Sequence, residues 1–299
     1  MVVEIIGVPM DLGANRRGTD MGPSAVRYAG LENALLKMGL EIIDNGNIDV
    51  PVRESINLVD ENFIFMDEIV VVCKKLAKMV HEVLERGNFP LVLGGDHSMA
   101  IGTIAGINKS IPDLGLIWFD AHGDYNTFDS TGSGNIHGMP LAAATGLGHQ
   151  NLISLGDTIP SVRADKTVLI GVRDLDHNEK ALLRKSKISV YTMKKIDELG
   201  MAAVIKDALL IAGHGTSGIN VSFDLDVVDP AIANGVGTPV PGGLTYREAH
   251  LALELIAESK LLRSLEIVEV NPIVDHGGNR TGRLAVELVT SALGKLIYD

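Results

Sequence analysis

Cysteine is almost absent from this chain: the single residue, Cys73, cannot pair within the molecule, so no disulfide framework holds the fold. It lies in MDEIVVVCKKLAKMVHEVL, on the expected apolar face of a helix, where a thiol is ordinarily buried and structural. Basic residues are scarce, 26 Lys and Arg against 38 Asp and Glu, for a formal charge of −12 and a pI near 5.2. So acidic a chain is ill suited to neutralising phosphates, which argues against a nucleic-acid binder and is compatible with a small cationic substrate. No run approaches the ~18 consecutive apolar residues of a membrane span. The opening MVVEIIGVPMD has no basic leader and meets Pro9 and Asp11 too soon for a signal peptide. These absences predict a cytoplasmic protein with neither a membrane nor a nucleic-acid partner. Low-complexity linkers, charge blocks and internal repeats are lacking too, which predicts one domain over 1–299.

What the chain does have is core material: 46% of its 299 residues are hydrophobic and 21% charged. Short β-branched runs at 2–8, 40–44, 90–95, 114–120, 167–174, 188–193, 219–226 and 264–270 read as strands. Several are almost continuously apolar, as strands covered on both faces of a parallel sheet should be. Helical patterns fall between them, at 22–39, 65–87, 98–110, 179–186, 202–213, 245–259 and 282–298. The alternation predicts a three-layer α/β/α fold around a mostly parallel sheet of about eight strands. GVGTPVPGG fits neither dinucleotide nor P-loop spacing and reads as a loop.

The polar residues then fall in a pattern. Asp96 and His97 follow PLVLGG; Asp120, His122 and Asp124 follow LGLIWF; Asp224 and Asp226, with Asp229 beyond, close INVSFDLD. Asp174 and Asp176 end another strand, and Glu269 lies in SLEIVEV. Each cluster has a plainer explanation. Asp96 suits a helix cap, Asp224-x-Asp226 a strand-end turn, and FDAHGDYN a polar turn. Yet all five meet the carboxyl ends of strands, where an open parallel sheet binds its ligands, and so many coincidences on one edge favour a metal site.

Charge indicates what kind of site. Asp120, Asp124, Asp224 and Asp226 bring four negative charges, and His97 and His122 add neutral ligands. Buried together without cations, some of these carboxylates would have to protonate. Two divalent cations cancel the four charges and can share an oxygen ligand at a separation of ~3.5–4 Å. A carboxylate-rich set without thiolate points to Mn²⁺, with Co²⁺, Fe²⁺ or Mg²⁺ behind it. Such a pair turns bridging water into hydroxide near neutral pH, which is hydrolase chemistry.

GGDHSMAIG, DAHGDYNT, SGNIHGMPL, SFDLDVVDP, GTPVPGGLTYRE and VEVNP resemble the ureohydrolase superfamily and, within it, the arginases, over nearly the whole chain. The resemblance implies two Mn²⁺ per subunit. His97, Asp120, Asp124 and Asp224 would hold one, and His122, Asp120, Asp224 and Asp226 the other, with Asp120 and Asp224 bridging. It implies that a bridging hydroxide attacks the guanidinium carbon of L-arginine, that Asp124 passes the proton to the leaving amine, and that His137 shuttles protons at the mouth. Glu269 would hold the guanidinium, with Thr238 nearby. Asn126, Ser133 and Asn135 would take the α-carboxylate, and Asp176, with Glu179 close by, the α-amine. It also implies a homotrimer or homohexamer acting in arginine catabolism.

Agmatinases and other guanidino hydrolases share the metal core, but agmatine has no carboxylate to meet those neutral donors, and VEVNP is the arginase form of a segment expected as VEVSP in agmatinases. A silent arginine or metal binder would have no use for the second metal. Four positions depart from the family pattern: Val227-Val228 replaces a frequent Gly-Leu, Tyr125 a smaller residue, and Gly132 a common Thr, Ser or Pro. Tyr125, next to Asn126, is expected to reshape the carboxylate end of the pocket.

Overall fold

Strands β1 (Val2–Val8), β2 (Glu41–Asn47), β3 (Phe89–Gly94), β4 (Gly115–Phe119), β5 (Thr167–Val172), β6 (Ser189–Thr192), β7 (Ile219–Asp224) and β8 (Leu262–Val268) form one sheet in the order β2-β1-β3-β8-β7-β4-β5-β6. Every neighbouring pair is parallel. The computed structural model describes residues 1–56, 64–296 and 298. β3, β4, β5 and β7 are buried along their whole length, which accounts for their continuous apolar sequences.

Successive side chains leave a strand on opposite faces, and the core divides accordingly. Leu91, Leu93, Phe119 and Phe223 pack on one side with helices Met201–Gly213, Tyr246–Ser259 and Arg280–Ala292. Ile6, Val8 and Val92 face the other way, towards helices Met66–Glu85 and Ala100–Ser110. Cys73 lies fully buried there, its thiol pushed up to about 12 by burial. No helix among the described residues is long and apolar enough to cross a membrane.

Two helices differ from the sequence expectation. The segment 22–39 divides into Gly22–Tyr28 and Leu31–Lys37, because Gly30 takes φ 94° and turns the chain in the left-handed region. The last helix ends at Ala292, where Gly294, at φ 89°, stops it; of the remaining expected span, Ile297 lies outside the described residues. The short helices Pro140–Ala144 and Met193–Leu199 had no distinct sequence pattern.

One buried ionic cluster holds the sheet's outer edge. Glu4 on β1 accepts from Arg86 Nε at 2.9 Å and Nη2 at 2.7 Å, from Asn88 at 2.7 Å and from Asn45 at 2.9 Å. The Arg86 hydrogen bonds hold its carboxyl at about 2, against the opposing effect of burial. A depressed carboxylate stabilises the fold above its unfolded pKa, and that contribution fades as pH falls towards 2. Glu4→Gln is therefore expected to cost on the order of 2 kcal/mol at pH 7, with Arg86 half-exposed, and much less near pH 3. Chemical denaturation of both proteins at the two pH values measures this; an equal difference at both would refute it.

Candidate metal centre

The strand order explains why residues so far apart in sequence meet. β3, β8, β7 and β4 are consecutive in the sheet, so the segments leaving their carboxyl ends lie side by side. From β3 comes His97, in a short turn capped by Asp96, whose side chain accepts from Ser98 N. β4 leads into Asp120, His122 and Asp124, β7 into Asp224 and Asp226, and β8 into Glu269.

Two groups of ligand atoms result: His97 with Asp120 and Asp224, and His122 with Asp120 and Asp226, each within 4.8 Å. Asp120 belongs to both. Its Oδ2 lies 3.3 Å from His97 Nδ1, and its Oδ1 3.3 Å from His122 Nδ1. Trp118 Nε1 donates to Oδ2 at 3.0 Å and the His122 N–H to Oδ1 at 2.7 Å, so both oxygens are aimed. Asp124 Oδ2 and Asp224 Oδ2 stand 3.0 and 3.1 Å from His97 Nδ1, and Asp226 Oδ2 3.1 Å from His122 Nδ1. Asp224 commits its other oxygen to Asp226 N at 2.8 Å, closing the turn after β7. The Trp118 ring stacks on His97, centroids 4.1 Å apart, and fixes the plane of the imidazole.

These side chains fit a pair of cations. His97 Nδ1 and Asp124 Oδ2 are buried, yet neither makes a hydrogen bond, although carboxylate oxygens crowd the imidazole nitrogen. Burial, then the Asp120 charge, pushes the Asp124 carboxyl up to about 8. Asp224 rises well above the usual carboxylate range through burial, then the charges of Asp226 and Asp120. Burial disfavours a charged His97, but Asp120, Asp124 and Asp224 outweigh it and raise that histidine strongly. His122 is raised likewise, against burial, by Asp226 and Asp120. Four carboxylates this close cannot all ionise without positive charge among them, and a pair of cations would supply it.

Asp124 and Glu269 both adopt left-handed backbone, φ 49° and 62°, at non-glycine positions. Such strain persists only where the surroundings impose it. The Asp124 carbonyl accepts from Leu141 and Ala142 N–H at 3.0 and 3.1 Å, and Glu269 N–H donates to the Gly95 carbonyl at 2.9 Å.

A cleft opens above the cluster, lined by His97, His122, Asp124 and Asp224 at its floor and by Asn126, Ser133, Asn135, His137, Asp176, Glu179 and Thr238 around it. Thr131, Asp174 and Leu175 also line it; only Asp174 carried a sequence signal, its place at a strand end. Asn126 donates to Asp176 Oδ2 at 3.0 Å, and Thr238 Oγ1 to Asp226 Oδ2 at 3.0 Å. Glu179 is buried, its carboxylate taking Tyr125 N–H at 2.9 Å and Asp176 N–H at 3.2 Å, so it braces the wall. Glu269 lies beneath: its Oε1 accepts His97 N–H at 2.9 Å and meets His137 Nδ1 at 3.1 Å, while buried Oε2 has no donor. Gly237 leaves room beside that oxygen, since a Cβ there would stand 2.9 Å from it. Tyr125 does not line the cleft. Its ring is buried in the core with Leu141 and Trp118, and its hydroxyl accepts from Thr145 Oγ1 at 3.2 Å. Asp229 is no ligand either: it holds a turn through Ala231, Gly242 and Gly243 N–H.

Paired histidine–carboxylate sets on the carboxyl edge of a parallel sheet, beneath a polar cleft, make a candidate metal centre of the kind a metal-dependent hydrolase uses. The family model described as "Arginase family" matches residues 2–294. Over 292 residues the chain is 51% identical to the arginase of Brevibacillus brevis, covering 98% of this chain and 97% of that one. Solved structures of arginase from Bacillus subtilis, 48% identical, and Bacillus caldovelox, 49% identical, superpose with TM-scores of 0.95, covering 100% and 99% of both chains. The chain belongs to the arginase family.

Proposed function

We propose that this protein hydrolyses L-arginine to L-ornithine and urea with two Mn²⁺ ions per subunit. The observation that carries the reading is Asp120, whose two oxygens face separate histidine–carboxylate sets, as a ligand shared by two cations must. The absence of thiolate and the excess of carboxylate favour manganese. When bound, the cations supply the Lewis acidity that makes water a nucleophile near neutral pH.

The chain's own residues do the rest. Glu269 Oε2, a buried acceptor without a donor, suits the guanidinium N–H groups and fixes the carbon above the floor of the cleft. The Asp124 carboxylate, besides holding a cation with His97, takes the proton of the attacking water and delivers it to the departing amine nitrogen as the C–N bond breaks. His137, hydrogen-bonded to Glu269 and open to the cleft, handles the second proton of the water, exchanging it with solvent and returning it to the amine as ammonium. At the rim, Asn126, Ser133 and Asn135 offer neutral donors to a carboxylate, and Asp176 an acceptor to an ammonium. Those groups favour arginine over agmatine, because a substrate without the carboxylate leaves them unpaired. Family resemblance supports a cytoplasmic trimer or hexamer.

Urea release from L-arginine and from agmatine, by metal-stripped protein with and without Mn²⁺, tests this. Manganese-dependent urea from arginine, with agmatine at least ~10²-fold slower, is expected. Faster release from agmatine would overturn the specificity, and arginine turnover without any metal would overturn the mechanism.

A further inference from the structure

Glu266 is a carboxylic acid in the middle of the sheet. It is fully buried on β8, and neither of its oxygens makes a hydrogen bond. A buried acid left this way costs stability unless something else needs it. Its neighbours suggest what that is. In register across the sheet, Glu266 pairs with Val92 on β3 and with Ser222 on β7. Paired residues of adjacent strands emerge on the same face ~4.8 Å apart, so the acid has an apolar neighbour on one side and a hydroxyl on the other. Ser222 Oγ in turn meets His97 Nε2 at 2.8 Å. Thr103, buried on the helix that crosses this face, has a hydroxyl without a partner.

The direction of these contacts is set by the metal site. If His97 Nδ1 faces a cation, Nε2 carries the hydrogen and donates it to Ser222 Oγ. The Ser222 hydroxyl hydrogen is then free, and the one charged acceptor in register with it is Glu266. We propose that His97, Ser222 and Glu266 form a relay in which Glu266, as a positioning residue, orients His97 and strengthens its hold on the metal. The inference rests on the reading of His97 as a metal ligand. Burial raises the Glu266 carboxyl, and the charge of His97, then the Thr103 and Ser222 hydroxyls, close by though not in hydrogen-bonding geometry, offset part of that rise. A metal-ligating histidine whose second nitrogen is anchored this way holds its ion more tightly than one left to rotate.

The test is titration of metal-stripped protein with Mn²⁺ alone, for the parent, Glu266→Gln, Ser222→Ala and the double variant, with melting of each metal-free protein. Glu266→Gln keeps the size of the side chain and removes only its charge. It is expected to weaken one of two Mn²⁺ sites by roughly 10–100-fold and leave the other unchanged. Ser222→Ala should do the same, and the double variant should be no worse than the weaker single, since both cut one chain of contacts. With Mn²⁺ saturating, KM for arginine should not move. Equal affinity in parent and Glu266→Gln would overturn the relay, as would single effects that multiply in the double variant, the signature of independent packing roles. Should Glu266→Gln not fold, Ser222→Ala alone decides by the same criterion. A parent that binds no Mn²⁺ would overturn the functional reading together with this one; two tight sites in every variant would overturn this one alone.

Discussion

Asp120→Asn is expected to abolish urea release from L-arginine, by roughly 10³-fold or more, and to reduce the Mn²⁺ held from two ions to at most one. Among the described residues Asp120 alone belongs to both ligand groups, with one oxygen towards His97 and the other towards His122. Asparagine keeps the shape but replaces one oxygen by a donor and removes a charge that the second cation needs. Losing that cation forfeits several kcal/mol of transition-state stabilisation, which at ~1.4 kcal/mol per tenfold gives the stated loss. The fold should survive, since the amide can still accept from Trp118 Nε1 or His122 N–H. Bound metal counted on the purified variant, beside its rate, checks both parts. A variant that retains two ions and full rate would remove the bridging assignment.

Glu269→Gln should act differently. Glu269 is in neither ligand group, so both ions are expected to stay. What the variant lacks is the negative charge behind Oε2, the buried oxygen that has no donor in the protein. Removing one partner of a buried charge pair costs roughly 2–5 kcal/mol, so KM for arginine is expected to rise on the order of 10²-fold, with a further loss in kcat as the guanidinium is held less firmly. Steady-state kinetics with metal analysis decides the case. Unchanged KM would place guanidinium binding elsewhere in the cleft, whereas lost metal would give Glu269 a structural part instead. His137 feels the change too: burial opposes its cation, and the Glu269 carboxylate, with Asp96 and Asp124, lifts it to about 9.

Much of this architecture was legible in the sequence. A parallel strand covered on both faces must be apolar throughout, so β3, β4, β5 and β7 announced themselves as uninterrupted runs. The change from apolar to Asp or His marked the edge where each strand leaves the sheet. Local signals of this kind depend on residues within a few positions of one another, and a sequence displays them directly. Short helices such as Pro140–Ala144 have too few turns to show a period, and the break at Gly30 interrupts a pattern that continues on both sides.

Adjacency is another matter. Only the order β3-β8-β7-β4 brings His97, Asp120, Asp224 and Glu269 into one site, and nothing local to any strand says which others it will lie between. The inward turn of Tyr125, the bracing of the cleft by Glu179 and the unpartnered oxygen of Glu269 follow from packing between elements distant in the chain. Glu266 shows the division most plainly. In the sequence it is one more acidic residue in SLEIVEV; the register of β8 against β7 sets it beside Ser222, and through Ser222 beside His97. Side-chain chemistry and local periodicity, written residue by residue, determined the fold class and the kind of site. Which groups touch was decided by sheet order and register, because those depend on burying every apolar face of the chain at once.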